Sequence, residues 1–165
     1  MFIKKAFLPV VTPLSTVLIL GTMPGEKSLQ LQEYYGNRGN QFWRLMFSVF
    51  GEALIDNYDE KISFLNRHHI ALWDVLAYCE RQGSLDSNIK NEVANDFKAF
   101  YTEYPRIKFV LFSSKNAEKY YDKFVGKKPE LTYYTLPSPS GANATMRFEE
   151  KLEIWRVIFD AVRVL

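Results

Sequence analysis

Thr16-Val17-Leu18-Ile19-Leu20 runs without a break into Gly21-Thr22-Met23-Pro24-Gly25, and this stretch decides the fold. The first five residues are too few for a helix. They also lack the polar alternation of a strand with one wet face, so they read as a strand buried on both sides, as in a parallel sheet. Gly21 and Pro24 then end it in a tight loop. Three further runs share this character: Ile70 to Val75, Phe109 to Phe112 and Thr132 to Leu136.

Between the runs the apolar period becomes helical. Phe42, Leu45, Met46, Val49 and Phe50 share one face, and Gly51 closes that helix. A second helix is predicted from Asp59 or Glu60 through Ile62, Phe64 and Leu65. A third takes in Val93, Phe97, Phe100, Tyr101 and Tyr104 and stops at Pro105. Ser114 caps a fourth that includes Ala117 to Phe124, and Phe148, Leu152, Trp155, Ile158 and Phe159 mark the last. This alternation predicts an α/β fold, a three-layer α/β/α sandwich around a central, mainly parallel four-stranded sheet, formed as one domain over residues 1–165.

Composition narrows the function classes. Of 165 residues, 47% are hydrophobic and 24% charged, an ordinary globular balance, and the net charge is only +2. Any nucleic-acid binding must rest on local arrangement rather than bulk attraction. The aromatic share of 16% suits a ligand that stacks. Cys79 is the single cysteine, which excludes an internal disulfide and a multi-cysteine metal site. His68 and His69 are adjacent in an extended segment, where neighbouring side chains diverge, so they make no two-histidine metal site. Lys4 and Lys5 precede an apolar stretch as in a signal peptide, but Pro9 and Pro13 break it, so an unprocessed cytoplasmic protein is expected.

Ligands of such sheets bind beyond the carboxyl ends of the strands. The loop Gly21 to Ser28 has glycines that admit close backbone approach, yet it lacks the spacing of a phosphate-binding P-loop or a dinucleotide fingerprint. Asp74 ends the second strand on the ligand side, where it could serve the site or merely bond loop N–H groups. Tyr34-Tyr35-Gly36-Asn37-Arg38-Gly39-Asn40-Gln41-Phe42-Trp43 places amides among aromatics, which suits a flat heteroaromatic ring; Asn40 could equally be a helix cap. In Leu136-Pro137-Ser138-Pro139-Ser140-Gly141-Ala142-Asn143-Ala144, hydroxyls and backbone N–H groups on a stiff loop can grip a phosphate without positive charge, although a plain turn has the same composition. Lys115 and Asn116 read more simply as a helix start than as a phosphate contact.

These segments, in this order, resemble the uracil-DNA glycosylase superfamily. Gly21-Thr-Met-Pro-Gly25 is similar to the Gly-Ile-Asn-Pro-Gly loop of the mismatch-specific uracil and thymine glycosylases, and Gly39-Asn-Gln-Phe-Trp43 to their Gly-Asn-Arg-Phe-Trp. Leu136 to Ala144, Leu72-Trp-Asp-Val-Leu76, Cys79-Glu-Arg81 and Gly83-Ser-Leu-Asp86 resemble the hypoxanthine-DNA glycosylase branch. Three departures stand out. Met23 replaces the catalytic asparagine of the mismatch-specific enzymes, and Leu136 replaces the histidine of the major uracil glycosylases. Asn37-Arg38-Gly39 stands where the branch often has His-Pro-Arg.

The resemblance implies a monofunctional hydrolase that flips a deaminated base, most of all hypoxanthine, out of double-stranded DNA and cleaves its N-glycosidic bond. Asn40 would position the attacking water. Phe42 would stack on the base, while backbone N–H groups around Thr22, Met23 and Gly25, with Asp74, would bind it. Pro137, Ser138, Ser140 and Gly141 would hold the DNA backbone. No metal, cofactor or membrane is expected, no lysine sits in a Schiff-base motif, and a monomer is expected. A uracil glycosylase acting on mismatches, a non-catalytic nucleotide-binding or nucleic-acid-binding module, and an enzyme of free nucleosides remain as alternatives.

Overall fold

The computed structural model describes residues 3–164. In chain order its elements are β1 (Ile3–Lys5), β2 (Val17–Gly21), α1 (Glu26–Leu31), α2 (Phe42–Val49), α3 (Tyr58–Arg67), β3 (Ile70–Asp74), β4 (Leu76–Glu80), β5 (Lys90–Ala94), α4 (Phe97–Glu103), β6 (Phe109–Phe112), α5 (Lys115–Phe124), β7 (Thr132–Thr135), α6 (Phe148–Trp155) and α7 (Val157–Arg163). All four runs are strands of one sheet, ordered β3-β2-β6-β7 and parallel throughout.

Alternate residues of the sheet feed two separate cores, as the two-residue period requires. Val17, Ile19, Ile70, Leu72 and Leu111 pack with α2, α3, α6 and α7 on one side. Leu18, Leu20, Ala71, Trp73, Val110 and Phe112 pack with α4 and α5 on the other. Helices on both faces complete the expected three-layer sandwich. Their starts are fixed locally, since Asn57, Asp96 and Ser114 accept the N–H of the residue three places on at 3.0, 3.0 and 3.1 Å.

Two expectations are corrected. Val93 lies in β5, opposite Tyr78, and not in a helix. It stands four residues before Phe97 and so mimics the helical period, but Asp96 caps α4 only after it. The last helix is two, because Phe159 N–H reaches back three residues to the Arg156 carbonyl and tightens the chain between α6 and α7.

A small antiparallel sheet, β1-β4-β5, was not legible in the apolar pattern. Its outer strand β5 alternates exposed and half-buried residues with little apolar content. It joins the central sheet where β3 continues almost directly into β4, with Val75 N–H and Leu76 N–H held by the carbonyls of Gly21 and Thr22 at 2.9 and 3.2 Å.

Candidate active site

From β2 the chain crosses to β3 on one side, and later to β6 on the other, so the direction of winding reverses between β2 and β6. A crevice opens at such a reversal, beyond the carboxyl ends. Here it is a cavity of about 1270 Å³, room for a nucleotide with flanking backbone. The loops after all four central strands line it.

The floor is the end of β2. Gly21 is needed there for packing rather than for ligand approach: a Cβ would stand 2.7 Å from Asp74 Oδ1 and 3.2 Å from the Tyr35 hydroxyl. Asp74 is 5% exposed, and its Oδ2 has no hydrogen-bond partner among the described residues. Burial, and then the nearby Asp86 carboxylate, push its pKa up to about 7, with Arg81 pulling the other way. Thr22 and Met23 are buried beside it. Among the same residues no acceptor takes the backbone N–H of Met23 or Gly25, so both donors remain for a ligand.

One wall combines the Tyr34–Gln41 segment with the Ser-Pro loop. Asn40 Oδ1 accepts Phe42 N–H at 2.9 Å, so the amide holds the turn that enters α2, whose N-cap residue is Gln41, while lining the cavity. An amide oxygen has a second lone pair and the Nδ2 group two donors, so this bond orients the group without exhausting it. The next residue ties the wall together: Gln41 N–H donates to the Pro139 carbonyl at 2.8 Å. From below, α6 anchors both halves. Trp155 Nε1 holds the Pro137 carbonyl at 3.0 Å, and the buried Lys151 ammonium holds Gln41 Oε1 at 2.8 Å. Gly141 abuts Gly39, where a Cβ would lie 2.8 Å from the carbonyl oxygen.

Within the Ser-Pro loop, Ser138 Oγ accepts Ser140 N–H and Ser140 Oγ accepts Ala142 N–H, both at 3.2 Å. The N–H groups of Ser140 and Ala142 are therefore spent inside the loop, whereas no acceptor among the described residues takes those of Ser138 and Gly141. Each serine hydroxyl keeps its own proton to donate.

Phe42 is corrected. It is fully buried in the core beneath α2 and does not line the cavity. Tyr35 covers it and lines the cavity instead. Its hydroxyl donates to Ser113 Oγ at 3.1 Å, and its backbone has φ +53°, a left-handed conformation costly for a bulky residue. The sequence held the signal for this exchange, because Phe42 belongs to the same apolar helical stripe as Leu45, Met46 and Val49, which is a core face.

The opposite wall is the loop from β4 to β5, with the start of α5. Ser84 Oγ accepts Glu26 N–H at 2.8 Å. Arg81, whose side chain is wholly buried, donates to the Pro24 carbonyl and lies 3.6 Å from Asp86. Burial raises the pKa of Asp86, and the Thr22 hydroxyl, then Arg81 and Asn116, offset part of that rise. Asn116 Nδ2 reaches Asp86 at 3.5 Å, and Lys115 lines the rim. Arg81 carries a role that sequence reading gave only as part of a quoted motif. The histidines are far from this chemistry: His68 stacks on Phe50 and meets Glu52 at 2.6 Å.

Comparison with known proteins agrees with this geometry. A family model described as the uracil DNA glycosylase superfamily matches residues 8–159. A Methanosarcina acetivorans protein named hypoxanthine DNA glycosylase is 38% identical over 159 residues, covering 95% of this chain and 98% of that protein. A Methanosarcina barkeri protein of the same name is 38% identical over 143 residues, 85% and 88% of the two chains. The solution structure of an M. acetivorans protein, provisionally named a uracil DNA glycosylase, superposes with a TM-score of 0.81 at 34% identity, over 96% of this chain and 99% of that one. On sequence, fold and the order of its site segments, the chain belongs to the uracil DNA glycosylase superfamily.

Proposed function

We propose that this DNA glycosylase hydrolyses the N-glycosidic bond of a deaminated nucleotide flipped from duplex DNA, with hypoxanthine as its foremost substrate. The observation that carries the reading is the wall in which Asn40 and the Ser-Pro loop are joined through Gln41 and Pro139. A group able to orient water is thereby fixed relative to a group able to hold the DNA backbone. Both face the cavity that contains Tyr35 and Asp74.

The flipped base lies on the Tyr35 ring, replacing Phe42 in that role, and its edge meets Asp74 and the N–H groups of Met23 and Gly25. Those N–H groups stabilise negative charge as the base departs. An ionised Asp74 would oppose that charge, so the protonated carboxyl is the working form; it donates to the base and adds no repulsion. Asn40 is too weak a base to deprotonate water. It therefore acts late, orienting water onto a sugar that already carries oxocarbenium character. Ser138 and Ser140 donate hydroxyl protons to flanking phosphate oxygens, and Pro137 and Gly141 set the shape of that loop. The products are a free base and an abasic site, and the protein works as a monomer without metal or cofactor.

Uracil is the second reading, because hypoxanthine and uracil present the same N–H/C=O edge to Asp74. Both are tested on labelled duplexes carrying one hypoxanthine or one uracil, incubated with chelator and then treated with alkali. Strand cleavage at hypoxanthine is expected. Cleavage confined to uracil overturns the substrate, and intact strands in both cases with folded protein overturn the enzymatic reading.

A further inference from the structure

Arg81 stands at the root of the loop after β4, and its side chain is wholly buried. Its Nη2 donates to the Pro24 carbonyl. Nε and Nη1 have no hydrogen-bond partner among the described residues, and Asp86 approaches Nη1 only to 3.6 Å. A buried guanidinium with most of its donors unused is a poor way to stabilise a fold, because one bond and a loose ion pair do not offset its loss of water. The loop also has a neutral tie to the same neighbourhood, through the Ser84 hydroxyl and Glu26 N–H. What distinguishes Arg81 is its acceptor. The Pro24 carbonyl and the Gly25 N–H are the two ends of one planar, conjugated amide. The carbonyl end takes Arg81, while Gly25 lines the cavity and no acceptor among the described residues takes its N–H.

We propose that Arg81 polarises the Pro24–Gly25 peptide from behind, so that the Gly25 N–H becomes a stronger donor to the base as it departs. The inference rests on the glycosylase reading above. A cation bonded to the carbonyl draws electron density through the amide, and hydrogen bonds linked in this way strengthen one another. When the C1′–N9 bond breaks, its electron pair stays on the base. Water supplies the oxygen that C1′ gains and the proton that the base finally takes. The negative charge that develops meets the Gly25 N–H and, through it, the charge of Arg81. A neutral base gains little from the same contact, so the effect falls on the transition state rather than on binding. The charge is felt at the cavity floor as well, where Arg81 opposes the rise in the Asp74 pKa. Arg81 is a positioning residue: it acts through the peptide and does not touch the base.

Two leaving bases test this in otherwise identical duplexes, hypoxanthine and 8-azahypoxanthine. A ring nitrogen in place of C8–H makes the second departing anion more stable and leaves the six-membered edge unchanged. For Arg81→Met, single-turnover cleavage should fall about 100-fold with hypoxanthine but no more than about tenfold with 8-azahypoxanthine, while duplex binding holds within about threefold. Arg81→Lys keeps the charge without the planar fork, so its losses should be smaller but equally selective, about tenfold with hypoxanthine and within about threefold with 8-azahypoxanthine. A merely structural role would slow both bases alike. Equal losses on the two bases, or no loss on hypoxanthine, overturn the proposal. If Arg81→Met does not fold, the Arg81→Lys pair of rates decides by the same criterion. If the parent protein cleaves neither base, the glycosylase reading itself fails, and this inference with it.

Discussion

Tyr35 lies flat on Phe42, with ring centroids 3.9 Å apart and planes 8° from parallel, and only the outer ring reaches the cavity. The inner ring supports the outer one, which holds a left-handed backbone and a hydroxyl bonded to Ser113. Removing the outer ring should remove the stacking platform and leave the core beneath. Tyr35→Ala is expected to lower single-turnover cleavage roughly 10- to 100-fold, from stacking energies of about 1–3 kcal/mol per base. Tyr35→Phe, which loses only the bond to Ser113, should stay within about threefold of the parent on the usual worth of one neutral hydrogen bond.

Asn40 has two duties, and they can be separated. Asn40→Ala should abolish cleavage while duplex binding stays nearly intact. It should also lose the bond to Phe42 N–H, worth about 1 kcal/mol, or roughly 3 °C in Tm for a chain of this size. Asn40→Asp keeps an accepting oxygen, so its Tm should return to the parental value. An Asn40→Ala protein that cleaves at the parental rate would remove this residue from the chemistry.

Asp74 makes both stability and activity depend on pH. Its folded pKa is pushed above the unfolded carboxylate value, so its contribution to stability is full below about pH 4 and is lost as pH rises through about 7. Asp74→Asn should therefore be more stable than the parent at pH 8, by up to a few kcal/mol, and the gap should close near pH 4. The scale is roughly 1.4 kcal/mol for each pH unit separating the folded from the unfolded pKa. Denaturant titrations at the two pH values measure it. Because the protonated form is the working one, parental single-turnover cleavage should decline above about pH 7, and the Asp74→Asn profile should be flat there.

Gly141 tests the join between the two halves of the catalytic wall. Gly141→Ala sets a methyl 2.8 Å from the Gly39 carbonyl oxygen, a backbone atom that cannot swing aside. The Ser-Pro loop should lift from the Asn40 segment, weakening duplex binding about tenfold, while the loop's exposure keeps the change in stability within about 1 kcal/mol. Titration of fluorescent duplex alongside thermal melts separates the two effects.

The central sheet could be read from the sequence because β2, β3 and β6 are buried on both faces and so are almost wholly apolar, as in Val17 to Leu20, whereas the edge strand β7, Thr132 to Thr135, alternates exposed and half-buried residues and is not buried on both sides as expected. β5 could not, because Lys90 to Ala94 is held by pairing to β4 more than by its own burial. Within the site, Asp74, Thr22, Met23 and the Ser-Pro residues stand around one cavity at strand ends that were evident, whereas Asn40 reaches it from the connection between α1 and α2. Phe42 was misplaced because an aromatic next to Asn40 looked like a ligand contact, although its helical period assigned it to the core. Arg81 and Lys151 act through distant carbonyl and amide oxygens, at separations of 57 and 110 residues, which no local pattern reveals. Lys151 did leave a trace: it interrupts the apolar stripe of α6 between Phe148 and Trp155.

The two walls of the cavity come from different stretches of chain. The hydrolytic wall is built from residues near 35–41 and 137–143, braced by α6; the other is a hairpin loop between β4 and β5, with the start of α5 beside it, latched mainly through Arg81 and Ser84. That hairpin loop is therefore an exchangeable cassette. A change in its length or residues would alter which lesions are accepted without breaking a bond of the water-orienting wall, because no hydrogen bond among the described residues joins the two. Lesion repertoire and water orientation can then evolve at separate rates in one small protein.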